Sequence, residues 1–519
     1  MRFAVVALSA VLLWPAAASA TIYIVRPDGT GDFPTIQAAI NAAADGDTIS
    51  LEDGIFTGSG NRDIDFMGRA ITLRSQGDNP LACIVDCQST PTEHHAGFLF
   101  HSGETLQSAL EGVTIRNADA RGVYPDGVGG AIRCVQNSSP RIHNCYFVHN
   151  AAYDGAAIGL QGSSPVVSSC VFSENAPANC GPGIYCLDGS SPMVVGCVFS
   201  GNAASIQGGA IYCALSPATV DSCTFTGNVA NSSGGAIHAD NGTMIVTRSV
   251  FIRNGSYSQG GGISCRVADS VRVDGCTFIK NWAVGDGGGI YLYYGTHRIT
   301  ACTFSENVAW GDGGGIWAHP GTSFEVANTV IAFSVDGGAI RIGGPCDFAV
   351  ECSDIYGNAG GDWVGPLWGM EDQDGNLSAD PCFCDRADGD YHLWNYSPCN
   401  QETCDLIGAW PVGCEDPQVV GEIPADSNRM LWSTPNPFVG GTTIAYRIPG
   451  GSADGVSVVI YEVSGRMVRT LHTPSAAGAT GPIRWDGTDD AGRALPGGIY
   501  LLRLPVAART VSERVIKIG

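Results

Sequence analysis

Positively charged residues are scarce in this 519-residue sequence, and charged residues of either sign make up only 15% of it. The 27 Lys and Arg residues are outnumbered by 50 Asp and Glu residues, which gives a formal net charge of −23 at pH 7. A surface of this charge repels a phosphate backbone, so nucleic acid is not expected among the partners.

Long apolar runs are absent after the first twenty residues, so no transmembrane helix is predicted in the mature chain. Residues 1–20 combine Arg2, an apolar run and the ending Ala18-Ser19-Ala20, which is typical of a cleavable signal peptide. An uncleaved N-terminal anchor is the alternative. The mature chain, starting near Thr21, is expected to be secreted or held at a bacterial cell surface.

Motifs of several large enzyme classes are also missing. The sequence has no phosphate loop, no H-E-x-x-H pair, no dinucleotide fingerprint and no Ser-His-Asp order. Glycine is abundant, with 71 residues, and this composition favours many short strands joined by tight turns. An all-β fold is therefore predicted.

Two motifs repeat together through the middle of the chain, with a period of about 26 residues. The first motif is Gly-Gly-(Ala/Gly)-Ile, and its isoleucines are Ile132, Ile158, Ile184, Ile211, Ile237, Ile263, Ile290, Ile316 and Ile340. The second is Phe-x-x-Asn, found at Phe147/Asn150, Phe172/Asn175, Phe199/Asn202, Phe225/Asn228, Phe251/Asn254, Phe278/Asn281 and Phe304/Asn307. Two columns with one period predict a parallel β-helix, in which equivalent strands stack about 4.8 Å apart. The Asn column is expected to serve the turns and to hydrogen-bond along the axis.

The two ends of the chain predict different structures. After Pro34, the apolar residues Ile36, Ala39, Ile40 and Ala43 share one helical face, so a short helix is expected to cap the solenoid. The β-helix with this cap is predicted over residues 21–410, and a Pro-, Glu- and Asp-bearing linker over 411–428. About seven short strands with turns predict an immunoglobulin-like β-sandwich over 429–519.

These motifs resemble those of known families. The N-terminal cap resembles that of the pectin-lyase-like superfamily, and the paired repeats resemble those of polymorphic outer-membrane adhesins. The C-terminal motifs, including Trp485-Asp-Gly487 and the run from Gly498 to Leu504, resemble the flagellar hook-capping immunoglobulin-like domain and type IX sorting domains. The resemblance implies a right-handed β-helix with a module for secretion or attachment machinery. An ordinary β-sandwich spacer is the alternative for that module.

Twenty cysteines in an exported chain raise the question of disulfides. One group occupies consecutive coils, where it forms either disulfides or small buried fillers: Cys145, Cys170, Cys197 and Cys223. A second group lies in less regular chain and is the better disulfide candidate: Cys382, Cys384, Cys399, Cys404 and Cys414.

The position after each ladder isoleucine is expected to point outward, and it is often aromatic. A column of stacked rings predicts a platform for sugar rings, although outward aromatics also simply suit β surfaces. The predicted binding residues, with two neighbours from the same strands, are Tyr185, Tyr212, His238, Tyr291, Tyr293, Trp317 and His319.

A partial acidic column lies four positions before the isoleucines: Asp154, Asp286, Asp312 and Asp336. The Asp-Gly-Gly pattern is typical of turns. If the protein is an enzyme, Asp286 and Asp312 are the expected catalytic pair, because neighbouring coils bring carboxylates close enough for glycoside hydrolysis. Asp286, Asp312 and Asp336 are also candidates for calcium, since carboxylates on successive coils repel unless a hard cation binds them. No other cofactor is predicted.

The sequence thus predicts a non-enzymatic, adhesin-like surface or extracellular protein that binds an extracellular glycan or a surface protein. Two alternatives remain open. One is a polysaccharide lyase or glycoside hydrolase acting on acidic polysaccharide, and the other is a structural spacer at the cell surface.

Overall fold

A computed structural model describes residues 20–123, 127–176, 178–267, 270–401, 404–414, 431–434, 436, 438, 440–447, 456–462, 466–472, 480–506 and 509–517. The predicted signal peptide, apart from Ala20, lies outside the described residues. Most of the predicted linker also lies outside them. No helix in the part that is described is long and apolar enough to span a bilayer.

The middle of the chain forms a parallel β-solenoid, which confirms the predicted fold class. Each coil adds one strand to each of three long sheets, and every strand pairs in parallel with its counterpart in the next coil. The ladder isoleucines pair with one another in register, from Ile132 to Ile340. The sheet that carries them is called the Ile sheet. Its strands are Ile64–Asp65, Phe98–Phe100, Ile132–Cys134, Ile158–Gln161, Ile184–Leu187, Ile211–Ala214, Ile237–Asp240, Ile263–Arg266, Ile290–Tyr293, Ile316–Ala318 and Ile340–Ile342.

The other sheets follow the same plan. The Phe sheet carries the ladder phenylalanines, and its strands are Gly54–Phe56, Cys83–Asp86, Thr114–Arg116, Tyr146–Val148, Val171–Ser173, Val198–Ser200, Thr224–Thr226, Val250–Ile252, Thr277–Ile279, Thr303–Ser305, Val330–Ala332 and Asp354–Tyr356. The third sheet contains Ile22–Val25, Thr48–Leu51, Thr72–Ser75, Ala109–Glu111, Arg141–His143, Val166–Ser168, Met193–Val195, Ala218–Asp221, Thr243–Thr247, Ser270–Asp274, Thr296–Thr300, Ser323–Ala327 and Asp347–Glu351. A fourth, the short sheet, lies between the Phe and Ile sheets along the chain and contains Ala178–Cys180, Ala203–Gln207, Val229–Ala230, Gly255–Ser256, Trp282–Ala283 and Val308–Ala309.

The core is built from columns of like residues. From Phe147 to Phe304, the buried rings stack face to face with centroids 4.5–4.8 Å apart and planes within 16°. The buried Asn column runs beside them. Nδ2 of Asn202 donates to Oδ1 of Asn228 at 2.9 Å and to the carbonyl oxygen of Phe172 at 3.0 Å. Each amide thus ties its turn to the next coil.

The column cysteines pack as thiols. The backbone N–H of Cys170 donates to Sγ of Cys197 at 3.4 Å, and Sγ of Cys170 lies 3.2 Å from the carbonyl oxygen of Ser168. Ser249 takes the same place in its coil, where its Oγ accepts from the N–H of Cys223 at 3.0 Å. The column residues are therefore small buried fillers rather than disulfides.

Both ends of the solenoid are capped. The helix Ile36–Ala42 buries Ile36, Ala39 and Ile40 against the first coils, and Thr35 caps its N-terminus by accepting from the N–H of Ala38. At the far end, the 3-10 helix Gly365–Leu367 places Leu367 in the same core.

The chain then folds back along the outer face of the Phe sheet. This closing segment (residues 381–401 and 404–414) contains Phe383–Asp385, Asp390–Trp394 and Val412–Cys414 in one sheet and Asn400–Gln401 with Asp405–Leu406 in another. Its Tyr391 packs on Ile252 and Ile279, and Nε1 of Trp410 donates to Oγ1 of Thr277 at 2.8 Å.

Two disulfides hold this region, Cys384–Cys414 and Cys352–Cys404. The first joins two members of the predicted cluster, and the second joins one member to the last coils. Cys382 and Cys399 of that cluster are thiols. Because Val412–Cys414 pairs with Asp390–Trp394, the first residues of the predicted linker belong to the closing segment.

The C-terminal strands form two small antiparallel sheets around a separate core that includes Trp485 and Tyr446. One sheet contains Leu431–Thr434, Thr442–Arg447 and Thr480–Trp485, and the other contains Ser457–Glu462, Met467–His472, Gly498–Val506 and Arg509–Lys517.

Candidate functional site

The predicted aromatic column lies on the outer face of the Ile sheet and falls into two stacks. In the first, Tyr185 stacks on Tyr212 with centroids 5.4 Å apart and planes 8° apart. Tyr212 stacks in turn on His238 at 5.5 Å and 9°. The register of the strands, one above the other, sets this spacing.

The second stack lies two coils further along the solenoid. Tyr291 and Trp317 are parallel within 3° and 4.7 Å apart. Beside them, Tyr293 and His319 lie 4.1 Å apart with their planes inclined by 48°. Ser264 separates the two stacks, since it pairs with His238 on one side and Tyr291 on the other.

The geometry differs from a continuous platform. Rings this close cover one another's faces, so a sugar ring has no room to lie on a ring inside the stack. His238 is only 1% exposed and Tyr291 only 4%. A periodicity of two gives the side of the sheet on which a ring lies, but not whether the neighbouring coil covers it.

His238 is buried as a neutral imidazole. Burial, and secondarily the Arg266 guanidinium, lower the pKa of His238 to about 3. Neither ring nitrogen has a hydrogen-bond partner among the described residues. This residue therefore packs within the stack and is not exposed for ligand contact.

The end of the first stack is different, because Tyr185 faces a glycine. Gly159 occupies the column position in register with Tyr185, Val128 fills the space over this glycine, and a pocket of about 270 Å³ opens beside them. Arg133, Asp154 and Gln161 contribute polar side chains to its wall. We refer to it as the Gly159 pocket. Burial, and then Asp154, raise the pKa of the Tyr185 hydroxyl, so that hydroxyl stays protonated and able to donate.

The acidic column serves the turns between the short sheet and the Ile sheet. Oδ1 of Asp286 accepts from the N–H of Asp312 at 3.1 Å, and Oδ1 of Asp312 accepts from the N–H of Gly338 at 3.1 Å. Oδ2 of Asp312 also pairs with Nε of Arg341 at 3.2 Å. Oδ1 of Asp336 accepts from its neighbour's N–H at 2.9 Å.

These hydrogen bonds show that the carboxylates stabilise the turns. One of them, Asp286, also has a shifted pKa. Burial, and then repulsion from Asp312, raise the pKa of Asp286. Calcium was considered for Asp286, Asp312 and Asp336. In the described part of the chain, no group of three or more His, Cys, Asp or Glu side chains is placed to hold a metal ion.

A group of three rings on and beside the short sheet, two exposed and one half-buried, was not predicted. We call Tyr257, Trp282 and Trp310 the aromatic patch. Tyr257 is 58% exposed and Trp310 is 60% exposed. The ring centroid of Trp282 lies 5.3 Å from that of Tyr257 and 6.0 Å from that of Trp310.

A glycine makes room for this patch. The Trp282 indole occupies the space above Gly255, where a side-chain Cβ would collide with it. One side of the indole therefore packs on the backbone of the preceding coil. The sequence could have revealed the patch through the positions of its tryptophans. Trp282 follows Asn281 and Trp310 lies three residues after Asn307, so both lie in the segment between the two repeated motifs rather than within them.

The fold and this arrangement of faces are those of a β-solenoid protein, and comparison with known families agrees. The model of the right-handed β-helix region matches residues 52–228 and 183–355, which together span more than half of the chain. The chain therefore belongs to the right-handed β-helix family. The FlgD Ig-like domain matches residues 434–509, in agreement with the C-terminal prediction.

Solved structures add little beyond the fold. Pectate lyase Pel9A is 12% identical with a TM-score of 0.37, covering 76% of this chain and 97% of that one. Pectin methylesterase from carrot is 10% identical with a TM-score of 0.29, covering 64% of this chain and 89% of that one. Neither likeness is close enough to indicate an activity. No curated protein matches the chain.

Proposed function

We propose that this protein is a secreted or surface-held, adhesin-like β-helix that binds an extracellular glycan without cleaving it. The observation that carries the proposal is the aromatic patch. Tyr257 and Trp310 are exposed on the solenoid surface and Trp282 is half-buried between them, whereas the rings of the predicted column largely cover one another. Exposed aromatic faces suit the apolar faces of sugar rings, whose hydroxyl groups remain in water.

The size of the patch favours a glycan over a protein. A stable protein interface buries about 800 Å² on each partner. Tyr257 and Trp310 are only 58% and 60% exposed and Trp282 is half-buried, so the patch offers well below that area. The rings lie 5.3 and 6.0 Å apart with their planes inclined by 83° and 39°, so they form a small uneven surface that suits one or two sugar units. A polymer gains further affinity by touching several such places along one solenoid.

The acidic turns support a binding role more than a catalytic one. Asp286 and Asp312 each accept a backbone N–H from the next coil, and Asp312 is also paired with Arg341. Carboxylates committed to holding turns are poorly placed to exchange protons with a substrate.

The C-terminal domain is proposed to provide attachment. It has its own core and matches an immunoglobulin-like family, so it can act as a separate module for secretion or anchoring. With a cleaved signal peptide, this arrangement presents the solenoid outside the cell. Glycan retention and surface attachment would then reside in different parts of the chain.

Retention on immobilised polysaccharides tests the binding role. The mature chain is passed over neutral and acidic polysaccharides, and bound protein and released reducing ends are both measured. We expect retention without new reducing ends. Replacing both indoles of the patch (Trp282→Ala and Trp310→Ala) should lower retention about tenfold, which corresponds to about 1.4 kcal/mol.

Trp368→Ala is the matched control, because Trp368 is 82% exposed and lies outside the patch. It should leave retention unchanged. Equal retention by the double variant and the wild type would remove the patch from the proposal. New reducing ends or unsaturated products, abolished by Asp286→Asn, would replace binding with catalysis.

A further inference from the structure

We infer that a cleft between the C-terminal domain and the solenoid binds a saccharide that carries one carboxylate, with Arg503 as the group that holds this carboxylate. We call this space the junction cleft. It measures about 660 Å³ and is bordered by residues 77–81 of the solenoid and by the strands Gly498–Val506 and Arg509–Lys517. It adds a second site to the proposed glycan binding and does not use the aromatic patch.

The cleft lies on the face of the C-terminal sheet that packs on the solenoid. Ile499 and Ile516 are paired across two strands, and both pack on the Phe sheet. Because side chains alternate along a strand, Arg503 and Arg514 lie on this same face. Two guanidinium groups therefore border one cleft, in a chain whose net charge is −23.

Within the described residues, neither arginine forms an ion pair. Nη2 of Arg503 donates to Oδ1 of Asn79 at 3.4 Å, and Nη2 of Arg514 donates to the carbonyl oxygen of Gly196 at 3.3 Å. Nη1 of Arg514 is buried and has no hydrogen-bond partner among the same residues. Half-buried cations without a counter-charge are costly, so this arrangement favours an anion in the cleft.

A buried tyrosine adds a donor without a partner. Tyr146 lines the cleft and is only 3% exposed, and its hydroxyl makes no hydrogen bond to a described residue. Burial raises the pKa of Tyr146 to about 12, so the hydroxyl stays protonated and can donate. Ser169 and Ser512 supply two further hydroxyl groups. These neutral groups suit the hydroxyl groups of a sugar, which both donate and accept.

The acidic residues at the border do not cancel this charge. Oδ1 of Asp78 accepts from Nδ2 of Asn144 at 3.1 Å, and Asp78 is exposed to water. Glu513 pairs with Leu502, which belongs to the core of the C-terminal domain, so the Glu513 side chain lies on the opposite face of its strand from Arg514. Two guanidinium groups against one exposed carboxylate leave the cleft positively charged.

Size and charge together define the ligand. A volume of about 660 Å³ is typical of small-molecule sites and exceeds what a free phosphate fills. A planar guanidinium can bind a carboxylate through two parallel hydrogen bonds. A polymer with a carboxylate on every unit would be repelled by the acidic surface of the rest of the chain. A saccharide with one carboxylate meets all of these conditions.

Calorimetric titration of the mature chain with matched probes tests the inference. The probes are cellobiouronate, sialyllactose, the methyl ester of each, and inorganic phosphate. Each acid differs from its ester only in whether the carboxylate is free. We expect at least one acid to bind about tenfold more tightly than its ester, and phosphate to show no binding.

Three variants locate the site. Arg503→Gln should weaken binding of the acid about tenfold, because the guanidinium is lost. Tyr146→Phe keeps the ring packed at the contact and removes only the hydroxyl, which should weaken binding about fivefold. Arg493→Gln makes the same change of charge at an exposed position of the same domain and should leave binding unchanged. Circular dichroism checks that each variant keeps the fold.

The inference is overturned by equal binding of acids and esters, by no binding of either acid, or by full binding in Arg503→Gln. If that variant does not fold, an unchanged affinity of Tyr146→Phe overturns it instead. Tighter binding of phosphate than of both acids overturns the saccharide class.

The variant that combines Trp282→Ala and Trp310→Ala separates this inference from the proposed function. It should keep full affinity for the acid while losing retention on polysaccharides. Loss of acid binding in this variant would place the probe at the aromatic patch and overturn the junction cleft. Unchanged retention by the same variant would remove the patch and leave the cleft as it is.

Discussion

At the residue scale, this protein is stabilised by columns in which the same type of side chain stacks in successive coils. The Asn column shows the benefit most clearly, because a buried amide is costly unless it is fully hydrogen-bonded. Asn202 donates to Asn228 and to Phe172, and its Oδ1 accepts both the N–H and the Nδ2 of Asn175 at 3.1 Å. A lone asparagine in an apolar core would destabilise it, whereas a column of them stabilises every turn.

Removing one amide should therefore be costly. Asn202→Ala is expected to lower the free energy of unfolding by about 3 kcal/mol, since it removes the partner of the Asn175 N–H and of the Phe172 carbonyl in the preceding coil and one bond to the Asn228 amide in the next. Urea denaturation followed by circular dichroism measures the change. Asn231→Ala, at an exposed turn, should be nearly neutral. Equal stability of the two variants would show that the amide column contributes little.

At the scale of elements, the closing segment matters most. It covers the outer face of the Phe sheet and meets the last strand of that sheet at Asp354. This carboxyl is fully buried, accepts from the N–H of Ala379 at 3.1 Å and lies 3.2 Å from Sγ of Cys399. Its burial, with lesser repulsion from Asp380 and Asp362, raises the pKa of Asp354 to about 6.

The raised pKa predicts a stability that falls with increasing pH. Between pH 4 and pH 6 the folded state holds the Asp354 proton more tightly than the unfolded state does, so stability declines as pH rises through this window. The expected loss from this residue is on the order of 3 kcal/mol. Asp354→Asn should remove this pH-dependent loss. The stability of the variant relative to the wild type should therefore increase as pH rises from 4 to 7.

Denaturation at a series of pH values measures this difference. Asp380→Asn, at a less buried position, serves as the control and should change the slope much less. Parallel pH profiles for the wild type and Asp354→Asn would contradict the assignment.

The sequence predicted the elements far better than the site. Spacing alone placed the ladder isoleucines and phenylalanines in register, because a repeat of two columns has one way to stack. It did not reveal that Tyr212 and His238 cover each other's faces, since burial depends on the next coil. The pairing of Cys404 with Cys352 was equally hidden, because the closing segment folds back over a distance that no local pattern encodes.

At the scale of the whole molecule, the C-terminal domain packs on the outer face of the Phe sheet. Tyr146, Val171 and Val198 on the Phe sheet pack against Ile499 and Ile516 of the C-terminal domain. Nη2 of Arg514 in that domain also donates to the carbonyl oxygen of Gly196 in the solenoid at 3.3 Å. The main cores are otherwise separate, so neither part should need the other to fold.

Deleting residues 429–519 should thus leave a folded solenoid that no longer attaches to the cell. Far-UV circular dichroism is expected to keep its β signature, because both caps and the closing segment remain. Cell fractionation should find the truncated protein in the medium and the full chain at the surface. Normal attachment of the truncated chain would refute the anchoring role, and loss of the β signature would refute the independence of the two cores.

The register of the isoleucine ladder also bears on how such a chain can change over generations. Because Ile211, Ile237 and Ile263 occupy equivalent places in adjoining coils, a recombination that removes one coil would set Ile211 directly on Ile263. The tube would close again with its interior intact. The length of the solenoid can thus change in whole coils, while the capping helix and the C-terminal domain stay as they are.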